Sequence, residues 1–387
     1  MRVLLVAGEF PPMQGGLGDF SRCLATALVD EGCTVTVLAP QKAQPSDPAW
    51  PFEVRAEASG WGLRDLGLIR RLSAEYDIIN LQYQAAAYGM KVPIHLLPLL
   101  TPRAALVTTF HDLRVPYLFP KAGPARWWAV RGLLQGSRAA ILTNEEDLAR
   151  AQAAVPRANL HLVRIGSNVS PAPVSAAERR QFREEFGVPE TATLVCYFAF
   201  LNATKGGLDL VRALARAREG GQDVRLLFIG GDVGASDATN AEYARQVFAE
   251  VEQLGLAPWV YRTGFLDEAG VSVAFAASDL CVLPFRDGAS YRRGSLMAAL
   301  AHGIPTITTH PAVPVAGLSE GQNVRLVAPG DAEGLAAAMV ALAQDPEERR
   351  RLSEAARQLS RQFEWPAIAR RTLAVFEAAR AASPRRA

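Results

Sequence analysis

Residues 2–40, RVLLVAGEFPPMQGGLGDFSRCLATALVDEGCTVTVLAP, contain the pattern that decides the fold. Arg2–Ala7 is a short apolar run, and a loop rich in glycine and proline follows it. A helical pattern over about residues 17–31 comes next, and residues 34–38 form a second β-branched run. Strand, loop, helix and strand in this order predict a βαβ unit, the building block of parallel sheets.

The same alternation continues along both halves of the chain. Further strands are predicted at residues 77–82, 105–109, 139–143 and 160–165, and then at residues 193–198, 225–230, 260–263, 280–283, 306–308 and 324–327. Residues 167–180, SNVSPAPVSAAERR, interrupt this rhythm with two prolines in three residues, which favours a linker. Two similar α/β halves joined near residue 171 are therefore predicted, with ligands outside the carboxyl ends of the strands and a cleft between two sheets.

Composition excludes several classes of protein. The chain has 387 residues and a formal net charge of +2, from 41 basic and 39 acidic side chains. This balance argues against nucleic-acid binding, which needs a basic face. The cysteines are scattered without a CxxC pair, which argues against a disulfide framework or a zinc site: Cys23, Cys33, Cys196 and Cys281. The first residues are too short for a signal sequence and no stretch is long enough to span a membrane, so a cytoplasmic protein is expected.

The loop after the first strand contains Gly15, Gly16 and Gly18 and leads into a helix near Asp19. Glycines at this place let backbone amides approach an anion at the positive end of a helix. The spacing is neither GxGxxG nor a P-loop, which would need GK[ST]. A phosphate contact and a flexible βα loop both remain open.

Lys205, in FLNATKGGLDLVRAL, is the only lysine after Lys121 in a chain that otherwise uses arginine. A lysine kept at the start of a helix suggests that a compact point charge is needed, as for phosphate. An ordinary surface lysine is the alternative.

His111, in VTTFHDLRVP, follows a buried strand. A single histidine of this kind is either structural or, because of its place at a strand end, part of a site.

Residues 286–305, RDGASYRRGSLMAALAHGIP, hold Arg286, Arg292 and Arg293 in a loop before a helix that starts near Gly294 or Ser295. Arginines and free amides at a helix start suit a diphosphate, whereas a solvated basic loop is the alternative.

Some motifs are absent. No Asp-x-Asp, Gly-x-Ser-x-Gly or His-Glu-x-x-His occurs, which disfavours a metal-bridged nucleotide sugar and the common hydrolase and zinc-protease chemistries.

Residues 121–140, KAGPARWWAVRGLLQGSRAA, pair Trp127 and Trp128 with arginines. This helix either rests on a membrane surface or, as is more usual, packs on its own domain.

Together these segments resemble the retaining glycosyltransferases of family four over nearly the full length. Ten segments match in order; they include GGLGDFSRCLATALVDEGCTVTVLAP (15–40), FHDL (110–113), TKGGLDLVRAL (204–214), LLFIGG (226–231) and ALAHGIPTITT (299–309). The resemblance implies the GT-B fold, in which two Rossmann-like doubly wound domains face a central cleft. It assigns residues 1–170 to acceptor binding, 171–365 to nucleotide-sugar binding, and 366–387 to a helix that returns to the first domain.

The resemblance also implies roles for residues. His111 would lie by the donor sugar, Lys205 would neutralise the leaving phosphate, and Ser290 occupies the position of a catalytic glutamate. Donor contacts are expected from two groups of residues: Gly15, Gly16, Asn202, Lys205, Gly230, Gly231, Phe265 and Leu266, and then Asp287, Ser290, Tyr291, Arg292, Arg293, Gly294 and Ser295. Acceptor contacts are expected from Gly18, Asp19 and Tyr83. No metal or cofactor is expected, and the donor would be a UDP or GDP sugar.

The sequence departs from the family at three places. Ala199 and Phe200 stand where a Gly-Arg pair is usual, so Arg292 or Arg293 would have to replace the missing charge. Ser290 and Ala298 stand where the family has two glutamates, and Asp287 is a candidate substitute for the first.

The expected activity is metal-independent transfer of a sugar, with retained configuration, to a glycan, a glycolipid or a small-molecule acceptor, in the context of cell-envelope polysaccharide. A nucleotide-sugar-binding protein without transfer activity is the alternative. Contact with the inner face of a membrane and the oligomeric state both remain open.

Overall fold

The computed structural model describes residues 1–13, 15–43, 49–101, 104–113, 123–231 and 238–382. The side chains of residues 123–126 and 238–240 fall outside this description. The chain forms two compact units: Met1–Asn168 together with Phe363–Ala387, and Val169–Gln362. The functional assignments predicted for residues 1–170, 171–365 and 366–387 stay predictions.

The first unit is built around a seven-stranded sheet. Its strands are β1 (Arg2–Ala7), β2 (Thr34–Pro40), β3 (Glu53–Ala58), β4 (Ile78–Tyr83), β5 (Ala105–Phe110), β6 (Ala139–Leu142) and β7 (Leu160–Leu162). They are all parallel, in the order β3-β2-β1-β4-β5-β6-β7. Strands β1, β4 and β5 are almost entirely buried, as expected when helices cover both faces of a parallel sheet.

Helices cover this sheet, and the last helix of the chain is among them. The helices are α1 (Gly16–Asp30), α2 (Leu63–Leu72), α3 (Leu97–Leu100), α4 (Gly123–Gly136), α5 (Glu145–Ala154) and α13 (Trp365–Ala381). Helices α1 and α13 pack together over one face, where Leu24 and Phe376 belong to the same apolar cluster. The predicted return of the C-terminal helix to the first domain is confirmed.

The second unit contains a six-stranded parallel sheet. Its strands are β8 (Thr193–Phe198), β9 (Val224–Ile229), β10 (Val260–Arg262), β11 (Leu280–Leu283), β12 (Thr306–Thr309) and β13 (Arg325–Val327). Their order is β10-β9-β8-β11-β12-β13. The helices are α6 (Ala176–Glu185), α7 (Gly207–Glu219), α8 (Ala238–Gln253), α9 (Glu268–Ala277), α10 (Gly294–His302), α11 (Ala332–Gln344) and α12 (Pro346–Ser360). The predicted class of two doubly wound α/β domains is confirmed.

Several helices begin where a polar side chain caps the first turn. Ser175 and Glu178 form a capping box at α6, and Asp267 and Asp331 cap α9 and α11. Such caps satisfy backbone N–H groups that have no partner within the helix. Single 3₁₀ turns occur at Ala85–Tyr88, Pro93–Leu96, Ala203–Lys205, Ala257–Trp259 and Arg361–Phe363. Among the described helices, none is both long and apolar enough to span a bilayer.

The predicted strands are present with ends shifted by a few residues, and one strand was missed. Strand β3, EVRAEA, carries Glu53, Arg55 and Glu57 and lies at the edge of the first sheet. An edge strand is half exposed and tolerates charges, so it does not show the apolar run by which the other strands were predicted.

Candidate functional site

The order of strands reverses next to β8 in the second sheet, because β8 pairs with both β9 and β11. The loops after β8 and β11 leave the carboxyl ends of these neighbouring strands at this point, and open α/β sheets bind ligands there. The β8 loop carries Asn202 and Lys205, and the β11 loop carries Asp287, Arg292 and Arg293. The topology therefore collects the main predicted donor residues at one place.

The two loops touch through their backbones. Arg286 N donates to Thr204 O at 2.8 Å. Gly206 has φ +70°, and a Cβ atom there would lie 2.0 Å from the carbonyl oxygen of Pro284. Asn202 Oδ1 accepts from Thr204 N at 3.1 Å, which fixes the turn before the lysine. Glycine at position 206 is thus needed both for its backbone conformation and for the close approach of the second loop.

Lys205 lies close enough to Arg293 for the two cations to repel each other. Burial, and then this repulsion, lower the pKa of Lys205 to about 8. Its Nζ lies 5.8 Å from the centre of the Phe200 ring. Within the described part of the chain, no carboxylate lies within ion-pair distance of Lys205. A partly buried lysine in this state gains stability when an anion binds beside it.

Asp287 binds both neighbouring arginines. Its Oδ2 lies 3.3 Å from Arg292 Nη2, and its Oδ1 pairs with Arg293 Nη2. Both guanidinium groups are largely buried, and Arg293 also lies 5.0 Å from the Phe285 ring. Asp287, the candidate substitute for the first family glutamate, therefore holds the arginines in place in this structure.

Arg286 does not join the other two arginines as the sequence predicted. Its Nε and Nη2 donate to the carboxylate of Asp209, on α7, at 2.8 and 2.7 Å. This bidentate pair is a strong and geometrically specific contact. The prediction of a three-arginine cluster is wrong for Arg286, because a carboxylate of α7 neutralises it.

The remaining positions of this loop are mostly buried. Tyr291 is fully buried and its hydroxyl donates to Ala316 O at 2.9 Å, so the structure gives it a packing role. Ser290 O accepts from Arg293 N at 3.0 Å, just before α10 begins at Gly294, with Ser295 next to it. Ala298 is buried inside α10.

A second pair of loops lies at the ends of β9 and β10. Gly230 and Gly264 form an isolated antiparallel bridge, and Gly230 N donates to Thr263 Oγ1 at 3.0 Å. Phe265 is 80% exposed, whereas Leu266 is half-buried. Gly231 is the last described residue before the gap at 232–237. An exposed aromatic ring at a strand end is suited to stacking, which fits the donor contact predicted for this loop.

The glycine loop of the first unit holds an anion of its own. Glu9 Oε1 accepts from Leu17 N at 3.1 Å, and the Gly18 amide also bonds to this carboxylate. Burial raises the pKa of Glu9 despite these amides. A Cβ atom on Gly15 would lie 2.1 Å from Glu9 Oε1, whereas one on Gly16 would meet nothing within 4 Å. The helix-start amides of Leu17 and Gly18 therefore bind a carboxylate in this structure.

Sequence reasoning missed Glu9 as a functional candidate. The available signal was its position directly after the carboxyl end of β1, where the first sheet also reverses its strand order. Asp19, in the first turn of α1, adds a second carboxylate whose charge acts on Glu9.

His111 lies at the end of β5 in a network of side chains. Its Nε2 is 2.8 Å from Gln82 Oε1, and its ring meets the edge of Phe20 with centroids 4.7 Å apart. Burial lowers the pKa of His111 to about 4, so the ring is neutral at physiological pH. Tyr83 is buried, and its hydroxyl lies 2.8 Å from His95 Nε2. Its contact with the acceptor substrate stays a prediction.

Helix α4 contains the tryptophan pair singled out in the sequence. Trp128 is 70% exposed, and Trp127 lies under the guanidinium group of Arg150 at 5.5 Å. The side chain of Arg126 lies outside the described residues. Contact of this helix with a membrane stays a prediction.

Family comparisons match both units. Residues 15–166 match the family described as glycosyl transferase 4-like domain, and residues 192–345 match the family glycosyl transferases group 1. The chain is 26% identical to D-inositol 3-phosphate glycosyltransferase of Corynebacterium efficiens, over 100% of this chain and 99% of that protein. It is 27% identical to GDP-mannose-dependent alpha-(1-6)-phosphatidylinositol monomannoside mannosyltransferase of Mycobacterium tuberculosis, over 79% and 80%.

Solved structures agree on the fold. HepE of Anabaena in complex with UDP and glucose superposes with a TM-score of 0.77 at 19% identity, covering 98% of this chain and 100% of that one. Sucrose-phosphate synthase of Thermosynechococcus elongatus gives 0.75 at 21%, covering 99% and 100%. At this level of identity the structures show a shared GT-B fold.

Proposed function

Because the chain belongs to the group 1 glycosyltransferases, with a glycosyltransferase 4-like first domain, we propose that it transfers a sugar from a nucleoside-diphosphate sugar to a hydroxyl acceptor. The second unit binds most of the donor, and the first binds the acceptor. The donor is a UDP or GDP sugar, and the acceptor is a glycan, a glycolipid or a small polyol. Relatives named for inositol phosphate and phosphatidylinositol mannoside acceptors support this range.

One observation carries the proposal: the charge of Arg293 acts on Lys205 where the two switch-point loops of the second sheet meet. Two cations held together in a partly buried place repel each other, and a diphosphate relieves this repulsion. Arg293 therefore replaces the arginine that the family usually carries near position 200. Arg292 contributes through the carboxylate of Asp287 that it shares with Arg293.

The chemistry required is stabilisation of negative charge on the diphosphate as the glycosidic bond breaks. Lys205 and Arg293 supply this charge stabilisation without a metal ion. Attack from the same face as the departing diphosphate retains the anomeric configuration, and a phosphate oxygen takes the acceptor's proton. Ser290 and Ala298 provide no carboxylate to hold the donor, so hydroxyl contacts of neutral groups must orient the sugar.

The test is calorimetric titration of the protein with UDP, GDP and their sugars. Lys205→Ala should weaken nucleoside-diphosphate binding by about 10- to 100-fold, because a charge-assisted contact contributes about 1.5–3 kcal/mol. Lys91→Ala is the matched control, since Lys91 Nζ donates to the Gly60 carbonyl in the other unit. Equal affinity of wild type and Lys205→Ala for the best ligand would contradict the role given to Lys205.

Sugar release from the best donor then separates an enzyme from a binding protein. A transferase releases the nucleoside diphosphate slowly without an acceptor, when water takes the sugar, and faster when a suitable polyol is added and takes the sugar instead. Tight binding with no release under either condition would favour a nucleotide-sugar-binding protein that has lost transfer.

A further inference from the structure

Two polar side chains lie inside the core of the first sheet. Asn80 and Gln82 are both fully buried on β4, whose other residues are mainly apolar. Two residues apart, they project from the same face of the strand. Burying an amide without hydrogen bonds costs about 1–3 kcal/mol, so such groups persist in a core only when they are satisfied. Their contacts therefore indicate what they are for.

The contacts form a chain whose direction is fixed at one end. Asn80 Nδ2 lies 3.0 Å from Val107 O and 3.0 Å from Thr109 Oγ1, both on β5. A backbone carbonyl can only accept, so the nitrogen of Asn80 faces β5 and its oxygen faces Gln82. Gln82 Nε2 donates to that oxygen. Gln82 Oε1 is then left as an acceptor, 2.8 Å from His111 Nε2.

The chain of contacts determines the tautomer of His111. An acceptor opposite Nε2 requires the proton on that nitrogen, and a neutral ring then carries a lone pair on Nδ1. The hydrogen bonds of the described residues include none to Nδ1. The ring is held from the side by Phe20, which itself packs on Trp365 of α13. His111 is half-buried, so Nδ1 is the polar atom that it offers to a ligand.

We propose that Gln82 and Asn80 are positioning residues that hold His111 as the neutral Nε2–H tautomer, so that its Nδ1 accepts a hydrogen bond from a sugar hydroxyl. The ligand part of this inference rests on the proposed function, whereas the tautomer part does not. A fixed neutral acceptor suits a hydroxyl and excludes the diphosphate, which needs donors. His111 thus orients the sugar and does not act as an acid.

The test uses ¹⁵N-labelled full-length protein, with the tautomer of His111 read from imidazole ¹⁵N shifts. Wild type should show protonated Nε2 and unprotonated Nδ1. Gln82→Leu should yield a mixture of tautomers and reduce kcat/KM for the donor about tenfold, since the ring is no longer oriented. Gln82→Glu should keep the Nε2–H tautomer and raise the pKa of His111, which moves the acidic limb of the pH profile upward.

Thr108→Val is the matched control. Thr108 is buried on the same strand as Thr109, and its hydroxyl bonds to Ser137 Oγ at 2.8 Å, outside the network. It should lower stability as the Gln82 variants do, yet leave the His111 shifts and pH profile unchanged.

Two results would overturn the proposal. Protonated Nδ1 in wild type, or identical tautomers in wild type and Gln82→Leu, would remove the positioning role. A donor that binds without moving the Nδ1 resonance would remove the hydroxyl contact. If the tautomer responds as expected but no nucleotide sugar binds, the proposed function fails and the hydroxyl contact fails with it, while the positioning of His111 stands.

Discussion

At the scale of single residues, Lys205 shows why this chain keeps a lysine where it otherwise uses arginine. An ammonium group beside Arg293 can lose its proton, whereas a guanidinium group stays charged. Because the pKa of Lys205 is about 8, this side chain changes its charge within the pH range in which binding experiments are usually done. Binding should therefore report directly on the protonation of one side chain.

Nucleoside-diphosphate affinity should fall as the pH rises above about 8. The anion favours protonated Lys205. Binding is therefore tightest below the pKa that Lys205 has in the ligand-free protein, and above that pKa binding is accompanied by uptake of a proton. Titrations between pH 7.5 and 9.5, above the range near pH 6 where phosphate itself titrates, should show log affinity falling with a slope of up to about one.

Lys205→Arg is the control for this pH dependence. It keeps the charge at every pH used, so its affinity should stay level through the range in which wild-type affinity falls. Without ligand, the pKa of Lys205 is lower in the folded protein than in the unfolded chain. The unfolded chain therefore binds more protons between about pH 8 and 10.5, and the free energy of unfolding should rise with pH in this range. A wild-type affinity that is independent of pH would contradict the assignment.

Asp287 competes with any anion for the two arginines that it holds. Asp287→Asn should tighten nucleoside-diphosphate binding and lower the free energy of unfolding by about 1–3 kcal/mol, because two largely buried cations lose their carboxylate. Asp209→Asn is the matched control, since it removes the partner of Arg286. It should cost stability without increasing affinity; an increase in both variants would point to a general charge effect.

At the scale of elements, the loops after β8 and β11 behave as one structure because they touch. Gly206 permits this contact, and Gly303 permits a second close approach elsewhere in the same unit. Gly303 ends α10 with φ +64°, and a Cβ atom there would lie 2.3 Å from Arg357 Cγ of α12. The Ala-His-Gly ending of that helix is therefore a packing feature of the second unit.

Gly206→Ala should lower the melting temperature of the protein and weaken diphosphate binding together. The new methyl group would collide with the Pro284 carbonyl and would sit at a positive φ, so the β8 loop must move and carry Lys205 with it. Differential scanning calorimetry with titration of the nucleotide measures both effects. Gly67→Ala is the control: nothing lies within 4 Å, and in the middle of α2 it should stabilise by up to about 1 kcal/mol.

Element-scale prediction from the sequence succeeded where burial is one-sided or complete and failed at β3. Apolar runs such as residues 3–6 and 280–283 predicted strands because parallel strands in the middle of a sheet are covered on both faces. Strand β3 is an edge strand with alternating charges, and its pairing with β2 is a long-range contact that leaves little local trace.

At the scale of the whole molecule, the end of the chain completes the unit in which the chain begins. Helix α13 places Ile368, Val375 and Phe376 in the apolar cluster that also contains α1 and β1 residues. Residues distant in sequence thus share one core, and Phe20 links α13 to His111 through ring contacts. Loss of packing in α13 should therefore be felt by the first unit.

Phe376→Ala should lower the free energy of unfolding of the first unit by about 3–5 kcal/mol, because Phe376 is fully buried. Hydrogen exchange of the amides in β1 and β5, together with thermal unfolding of the protein, measures the effect. Phe265→Ala is the matched control, since Phe265 is 80% exposed and its loss should leave stability unchanged. Equal destabilisation by both variants would contradict the role of α13.

The sequence by itself determined the two parallel α/β domains, the family and most residues of the switch-point loops, since these depend on local periodicity and on the order of motifs. Tertiary structure alone decided how the charges are paired. Arg286 binds Asp209, the charge of Arg293 acts on Lys205, Glu9 accepts from the helix-start amides, and Asn80 and Gln82 form a hydrogen-bonded chain to His111. Such pairings join side chains from different strands and loops, and no local pattern encodes the distances between them.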